Sequence, residues 1–331
     1  MSYARPTARS ILAAAALAAF AGSAAAQEKL TFNLGWLPQG STSGPVIALA
    51  NGYFKDAGLD VSIVRGYGGT RTANELDQGQ FDVGYTDPIS IAINRSNGGK
   101  IRMIGAINTQ WPAGICFDTR RHMVKKPADM KGMTLGGGSA SVVHNVVPVW
   151  LEQNGQPKDL VRLLRMDPAV VDASLVEGKI DLAECWRASN RAVMLKQAAA
   201  AGVDVGWIEY ADFGLNAYGS GFVTTDDVIA KRGEALRKFL QASYKGYEFA
   251  IRNPEQAADI MVRSYPTVDR AVVLAQIRDI IVLVVDPQAK DQGLGYMRDD
   301  RMASTVQFVD KAFSLAGKVK PQDVYTNALL K

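Results

Sequence analysis

The sequence predicts an α/β fold of two lobes, each a parallel-rich sheet flanked by helices, with a ligand cleft between them. Three observations carry this expectation. Strand-like and helix-like segments alternate along much of the chain, the pattern that covers parallel strands with helices. Residues 30–64 alone spell strand, loop, helix and strand, which puts the loop at the carboxyl end of the first strand, where open α/β sheets place ligands. Segments 111–117 and 216–223 read as crossings into a second lobe and back, and a hinged pair of lobes holds its ligand between them.

Taken in order, residues 1–26 have the form of a secretory signal. Arg5 and Arg9 are followed by an apolar run over 11–20 and by Ala24-Ala25-Ala26 before Gln27. The run is shorter than the roughly 20 residues a spanning helix needs. Leu30 to Gly35 reads as a strand, and Pro38 in Trp36-Leu37-Pro38-Gln39-Gly40 takes the chain out of the sheet. A helix begins near Pro45, and Asn51-Gly52 and Ala57-Gly58 stop it and turn into the strand over 59–64. A glycine-rich turn at 65–70 leads into a helix through Leu76. A strand over 79–85 ends at Thr86 or Asp87, either of which caps a helix with Pro88 at its first position. A strand at 101–107 precedes the first crossing.

In the second lobe, strands are expected after Gly132, over 161–166, 178–185 and 203–210, with helices at 142–151 and 169–177. From Asp227 onward helical patterns dominate, at 234–252, 254–264, 268–285 and within 295–315. The lobes are therefore expected to comprise 27–114 with 222–331, and 115–221.

Composition excludes several classes. Net charge is +4, and without residues 1–26, which contain Arg5 and Arg9 and no acid, it is +2. That charge is mild and the lysines are scattered, so nucleic acid is not an expected partner. His122 lies among Arg120, Arg121, Lys125 and Lys126 and reads as a solvated face; His144 reads as structural. No metal-ligand spacing, catalytic constellation or cofactor motif stands out, and Leu135-Gly136-Gly137-Gly138-Ser139-Ala140-Ser141 lacks the third glycine of the fingerprint's spacing and the acid of a dinucleotide site. It reads instead as a turn into a helix N-terminus, with Gly138, Ser139 and Ser141 offering donors to the cleft. Cys116 and Cys185 lie in apolar strand-like stretches and read as two free buried thiols, although an exported protein can form a disulfide.

Trp36-Leu37-Pro38 after a first strand, followed by Asn51-Gly52-Tyr53-Phe54-Lys55-Asp56-Ala57-Gly58-Leu59-Asp60-Val61, resembles the periplasmic binding proteins for sulfonates, nitrate, taurine and thiamine-type pyrimidines. The same family contains fungal thiamine-pyrimidine synthases. Ala128-Asp129-Met130-Lys131-Gly132 and the closing segment 320–329 are similar to the family as well. The resemblance implies a two-lobed periplasmic binding protein fold (type II). It also implies an extracytoplasmic solute-binding role in an ABC importer, with a membrane permease and ATPase as partners, a periplasmic location and a monomeric state.

The resemblance further implies that Trp36 walls the ligand and that Glu184, in Glu184-Cys185-Trp186, accepts hydrogen bonds from an aminopyrimidine. Trp186 and Tyr218 are expected to add aromatic walls. Gln39, Ser41, Tyr85, Asp87 and Asn216 are expected to add oriented polar contacts, and the Gly138-Ser139 helix end to hold an oxygen-rich group. The alternative for Glu184 is an ion pair with Arg187 or Arg191. The synthases carry a cysteine run where this chain has Gly214-Leu215-Asn216-Ala217-Tyr218-Gly219, and a sacrificed histidine where it has Ser90. Both departures favour binding without chemistry. The expected ligand is a pyrimidine-like heterocycle, with a sulfonate, taurine or nitrate ligand, a synthase-like enzyme and a sensor domain as alternatives.

Overall fold

The computed structural model describes residues 27–139 and 141–330, and the secretory segment read in 1–26 lies outside them. β1 (Glu28–Asn33) and β2 (Leu59–Val64) run parallel, with Leu30 opposite Val61. Between them lie α1 (Ser43–Ala50), with Pro45 in its first turn where no N–H is required, and the short α2 (Tyr53–Asp56). Next come α3 (Gly69–Asp77), β3 (Val83–Thr86), α4 (Pro88–Ser96) and β4 (Ile101–Ala106). Asp87, not Thr86, caps α4: its Oδ1 accepts the Ser90 N–H at 3.0 Å.

The chain then builds a second sheet from β5 (Ala113–Asp118), β6 (Thr134–Gly138), α5 (Val143–Gln153) and β7 (Arg162–Met166), followed by α6 (Pro168–Val176), β8 (Leu182–Trp186), α7 (Asn190–Ala200) and β9 (Val205–Glu209). β10 (Gly221–Thr225) returns to the first sheet, and α8 (Asp226–Arg252), α9 (Pro254–Ser264), α10 (Arg270–Val284), α11 (Asp299–Phe313) and α12 (Pro321–Val324) complete the chain.

Strand order is β2-β1-β3-β10-β4 in the first sheet and β7-β6-β8-β5-β9 in the second. Both sheets are mixed. β1 pairs in parallel with β2 and β3, while β10 is antiparallel to β3 and β4. β6 pairs in parallel with β7 and β8, while β5 is antiparallel to β8 and β9. The parallel pairs are those the alternating pattern predicts. The antiparallel ones come from β5 and β10, which enter their sheets from the other domain rather than through a crossover helix. The expected divisions after residues 114 and 221 cut into β5 and β10, and the sheets change over at 107–112 and 210–220.

Phe32, Phe54, Phe222 and Phe239 fill the core of the first domain, with the Phe32 and Phe54 rings 5.4 and 5.3 Å from Phe239. Trp150 meets Tyr210 edge-on at 4.9 Å in the second.

The free-thiol expectation is corrected. Cys116 on β5 and Cys185 on β8 form a disulfide with Cα atoms 5.8 Å apart, within the range such a bridge requires. Cys116 faces Ala183 and Cys185 faces Gly114 across the ladder, so the cysteines are diagonal neighbours. Their separation of 69 residues hides that adjacency in the sequence. Among the described residues no helix is long and apolar enough to cross a membrane.

Candidate functional site

A cavity of about 460 Å³ lies between the two sheets. Its first-domain wall is made by the loops after β1, β2 and β3. Gly35 has φ +72°, and a Cβ there would stand 2.2 Å from the Tyr85 carbonyl oxygen, so only glycine allows the first loop to lie across the end of β3. The Gly66 N–H donates to the Trp36 carbonyl at 3.0 Å and the Gly68 N–H to the Gly35 carbonyl at 2.7 Å, which ties the first two loops together. Trp36 and Tyr67 both line the cavity and stay 42% and 53% exposed. The Arg65 and Arg71 guanidinium carbons lie over the Tyr67 ring at 4.2 and 4.5 Å.

Tyr85 and Asp87 form the floor on this side. Burial pushes the Tyr85 phenol up, opposed by hydrogen bonds with Ser220, Ser41 and Asn108. Burial also raises the Asp87 carboxyl above its usual range, opposed by the Ser90 N–H and by the Ser90 hydroxyl at 3.1 Å. Gly69 permits the close approach of α3, since a Cβ there would stand 2.4 Å from Thr86 Oγ1 and 2.8 Å from Asp87 Oδ2.

The second-domain wall is organised around Glu184 on β8. Its Oε1 accepts the Gly138 N–H at 2.6 Å, and its Oε2 accepts the Ser141 hydroxyl and, at 3.3 Å, the Trp186 indole N–H. Three neutral donors therefore fix the carboxylate without cancelling its charge. Asp172 on α6 accepts the Asn190 Nδ2–H at 2.9 Å, and Asn190 is itself held by the Glu184 carbonyl and the Trp186 N–H. Burial pushes the Asp172 carboxyl up to about 6; the Asn190 bond opposes this and the Glu184 charge reinforces it.

No lysine or arginine lines the cavity among the described residues. The alternative ion pairing of Glu184 is not formed: Arg187 pairs with Glu209, and Arg191 lies 3.5 Å from Asp279 on α10. The Ala188 N–H donates to Asp279 at 3.1 Å as well. The Ser189 hydroxyl donates to Gln39 Oε1 at 2.9 Å, and Gln276 on α10 links the Ser189 carbonyl to the Gly40 N–H. Residues 187–191 thus clasp the second domain to the first beside the cleft.

Trp36, Gln39, Tyr85, Asp87, Gly138, Glu184 and Trp186 stand together on the cavity wall. Four other expected residues do not. Ser41 is buried behind Gln39, whose Nε2–H it accepts at 2.9 Å. Gly138 and Ser139 do not form a helix end: Gly138 closes β6, its N–H is used by Glu184, and the Ser139 N–H goes to the Met166 carbonyl. The expected oxygen-binding donors are therefore already engaged. Tyr218 is fully buried at the interdomain crossing, where its N–H donates to Thr305 and its hydroxyl accepts the Arg298 N–H at 2.7 Å. Asn216 accepts from Arg301 on the same helix, α11. The packing of α11 against the crossing turns both away from the cleft.

Sequence reasoning missed Tyr67, Asp172 and Asn190. A signal existed for Asp172, the only charged residue in the largely apolar α6.

The model of the NMT1/THI5 like family matches residues 40–257, more than half of the chain. The chain belongs to that family. The formylaminopyrimidine-binding protein of Halalkalibacterium halodurans is 24% identical over 72% of this chain and 71% of its own length. The 4-amino-5-hydroxymethyl-2-methylpyrimidine phosphate synthase of Candida albicans is 22% identical over 69% of each chain. The periplasmic aliphatic sulphonate binding protein of Escherichia coli superposes with a TM-score of 0.68 at 16% identity, over 89% of this chain and 91% of that one. This NMT1/THI5 like protein therefore has the two-domain α/β fold of the periplasmic binding proteins, and proteins similar to it bind sulfonates or pyrimidine-related ligands.

Proposed function

We propose that this NMT1/THI5 like protein is the extracytoplasmic solute-binding protein of an ABC importer and captures a planar nitrogen heterocycle of the aminopyrimidine type. One observation carries the ligand class: the cavity is lined by Asp87, Asp172 and Glu184 with four aromatic side chains and, among the described residues, no cationic side chain. A nitrate or sulfonate would meet repulsion there, whereas a ring carrying N–H donors finds acceptors on both domains. Trp36, Tyr67, Tyr85 and Trp186 offer faces and edges to a flat ring, and contacts from both sides favour closure when it binds.

The partners in this reading are the ligand, a membrane permease and its ATPase. The protein acts as an exported monomer that leaves its ligand chemically unchanged. The similarity to formylaminopyrimidine-binding and pyrimidine-synthase relatives supports the ligand class, and the fold supports the binding role.

Calorimetry with 4-amino-5-hydroxymethyl-2-methylpyrimidine, taurine and nitrate tests the ligand. Binding of the pyrimidine alone is expected, with an apparent stabilisation of about 2.7 kcal/mol at a hundredfold excess over Kd. Tight binding of taurine or nitrate without the pyrimidine overturns the assignment. Recovery of a converted product after incubation overturns the transport reading in favour of an enzyme.

A further inference from the structure

The cleft gathers three carboxyl groups, Asp87, Asp172 and Glu184, and among the described residues no cationic side chain lines it. Its walls are already defined by the cavity and its aromatic rings; the unusual feature is how the acids are held. Glu184 is anchored by a backbone N–H, a hydroxyl and an indole N–H. Asp172 is anchored by the Asn190 amide through Oδ1 alone. Asp87, across the cavity, is anchored by Ser90 and Thr86. Every one of these donors is neutral. Arginines are near in sequence, yet Arg187 and Arg191 are committed to Glu209 and Asp279 on the other side of the turn.

A carboxylate held only by neutral donors has no counter-charge, and its attraction for a cation strengthens as water leaves a closing cleft. Two such groups on one wall repel each other, and a group carrying positive charge between them relieves the repulsion.

We propose that the cleft takes its heterocycle as a cation, an amino-substituted ring protonated on nitrogen, with Asp172 and Glu184 together as its counter-charge. The inference rests on the heterocycle reading above and narrows it: among planar nitrogen rings, the basic ones are selected. Asp172 interacts with Glu184 from β8 and the neutral Asn190 from α7, and the other titratable groups lining the same cavity are Asp87, Tyr67 and Tyr85. Among the described residues no cationic side chain lines the cavity with them, Arg65 and Arg71 lying over the Tyr67 ring and not among the lining residues, so a cationic ligand would supply the counter-charge. Binding then requires Asp172 ionised. Burial holds a fraction of it protonated in weakly acidic solution, and the cation displaces that proton.

The probes are 4-aminopyridine, a cation throughout the range tested; aniline, of similar shape but neutral above about pH 6; and 4-amino-5-hydroxymethyl-2-methylpyrimidine. Kd is measured by calorimetry between about pH 5 and pH 7, in buffers of different ionisation enthalpy so that proton release is counted directly. For 4-aminopyridine the affinity is expected to rise about tenfold across that range, with close to one proton released at the acid end. Asp172→Asn is expected to flatten the profile and weaken binding, while near pH 7 aniline binds at least tenfold more weakly than 4-aminopyridine.

Affinity for 4-aminopyridine that ignores pH, or equal binding of aniline, overturns the cation proposal and leaves the heterocycle reading intact if the pyrimidine still binds. Absence of binding by every ring, with taurine or nitrate bound instead, overturns both. Circular dichroism of Asp172→Asn shows whether the variant is folded, and the wild-type pH profile and proton count decide the proposal without it.

Discussion

The turn around residues 184–191 has two faces that treat negative charge in opposite ways. Towards the cleft, Glu184 and Asp172 are fixed by Gly138, Ser141, Trp186 and Asn190, all neutral. Away from it, Glu209 and Asp279 are met by Arg187 and Arg191. Guanidinium partners cancel charge and lock a geometry; neutral donors lock geometry and leave the charge available. The difference separates a face built to receive a ligand from one built to join two domains, although eight residues of sequence contribute to both.

Substitutions that break one face and spare the other sharpen this contrast. Glu184→Ala should have the largest effect: it removes the common acceptor of three donors, and calorimetry should show at least a hundredfold loss of pyrimidine affinity. Thermal unfolding should show about 2–3 kcal/mol lower stability, as buried donors are left unpaired. Affinity within a few-fold of wild type would remove Glu184 from the ligand site.

The Cys116–Cys185 bridge joins β8, which carries Glu184 and Trp186, to β5. Replacing both cysteines with serine should cost about 2–4 kcal/mol in denaturant unfolding. If the bridge serves stability alone, pyrimidine affinity is retained.

On the clasp, Asp279→Ala strips Arg187, Arg191 and the Ala188 N–H of a shared acceptor. Affinity should fall about tenfold without any change at the cleft wall, because less of the protein occupies the closed arrangement. Small-angle scattering of the unliganded variant should show a larger radius of gyration. An unchanged radius and affinity would make the clasp a surface detail.

The smallest effect concerns Asp172 in the absence of ligand. Its folded-state carboxyl sits at about 6, above the ordinary 3.8, so the folded state binds more protons between those values and stability falls as pH rises through the window. The cost is absent below the window and full above it. Asp172→Asn should therefore be neutral near pH 4 and raise stability by about 1–2 kcal/mol near pH 7.5, read from paired melting curves. A destabilised variant at both pH values would show that the Asn190 contact outweighs the buried charge.

Local chemistry legible in the residues fixed a good part of this molecule. Strand β2 and helix α9 fall where apolar pattern, glycine and proline place them, and Asp87-Pro88 marks a helix start because capping is a matter of adjacent atoms. Trp36 and Glu184 are singled out by the resemblance to the binding-protein family, and each lies near the carboxyl end of a strand, after β1 and within β8.

Tertiary structure alone decided the rest. Cys116 and Cys185 are bridged because β5 arrives beside β8 from the other domain. Tyr218 faces Thr305 and Arg298 because α11 packs on the crossing. Gly138 extends a strand because β7 pairs with it at Met166, and its N–H then goes to the Glu184 carboxylate. In each case the deciding partner lies tens of residues away, and periodicity and spacing report only on neighbours along the chain.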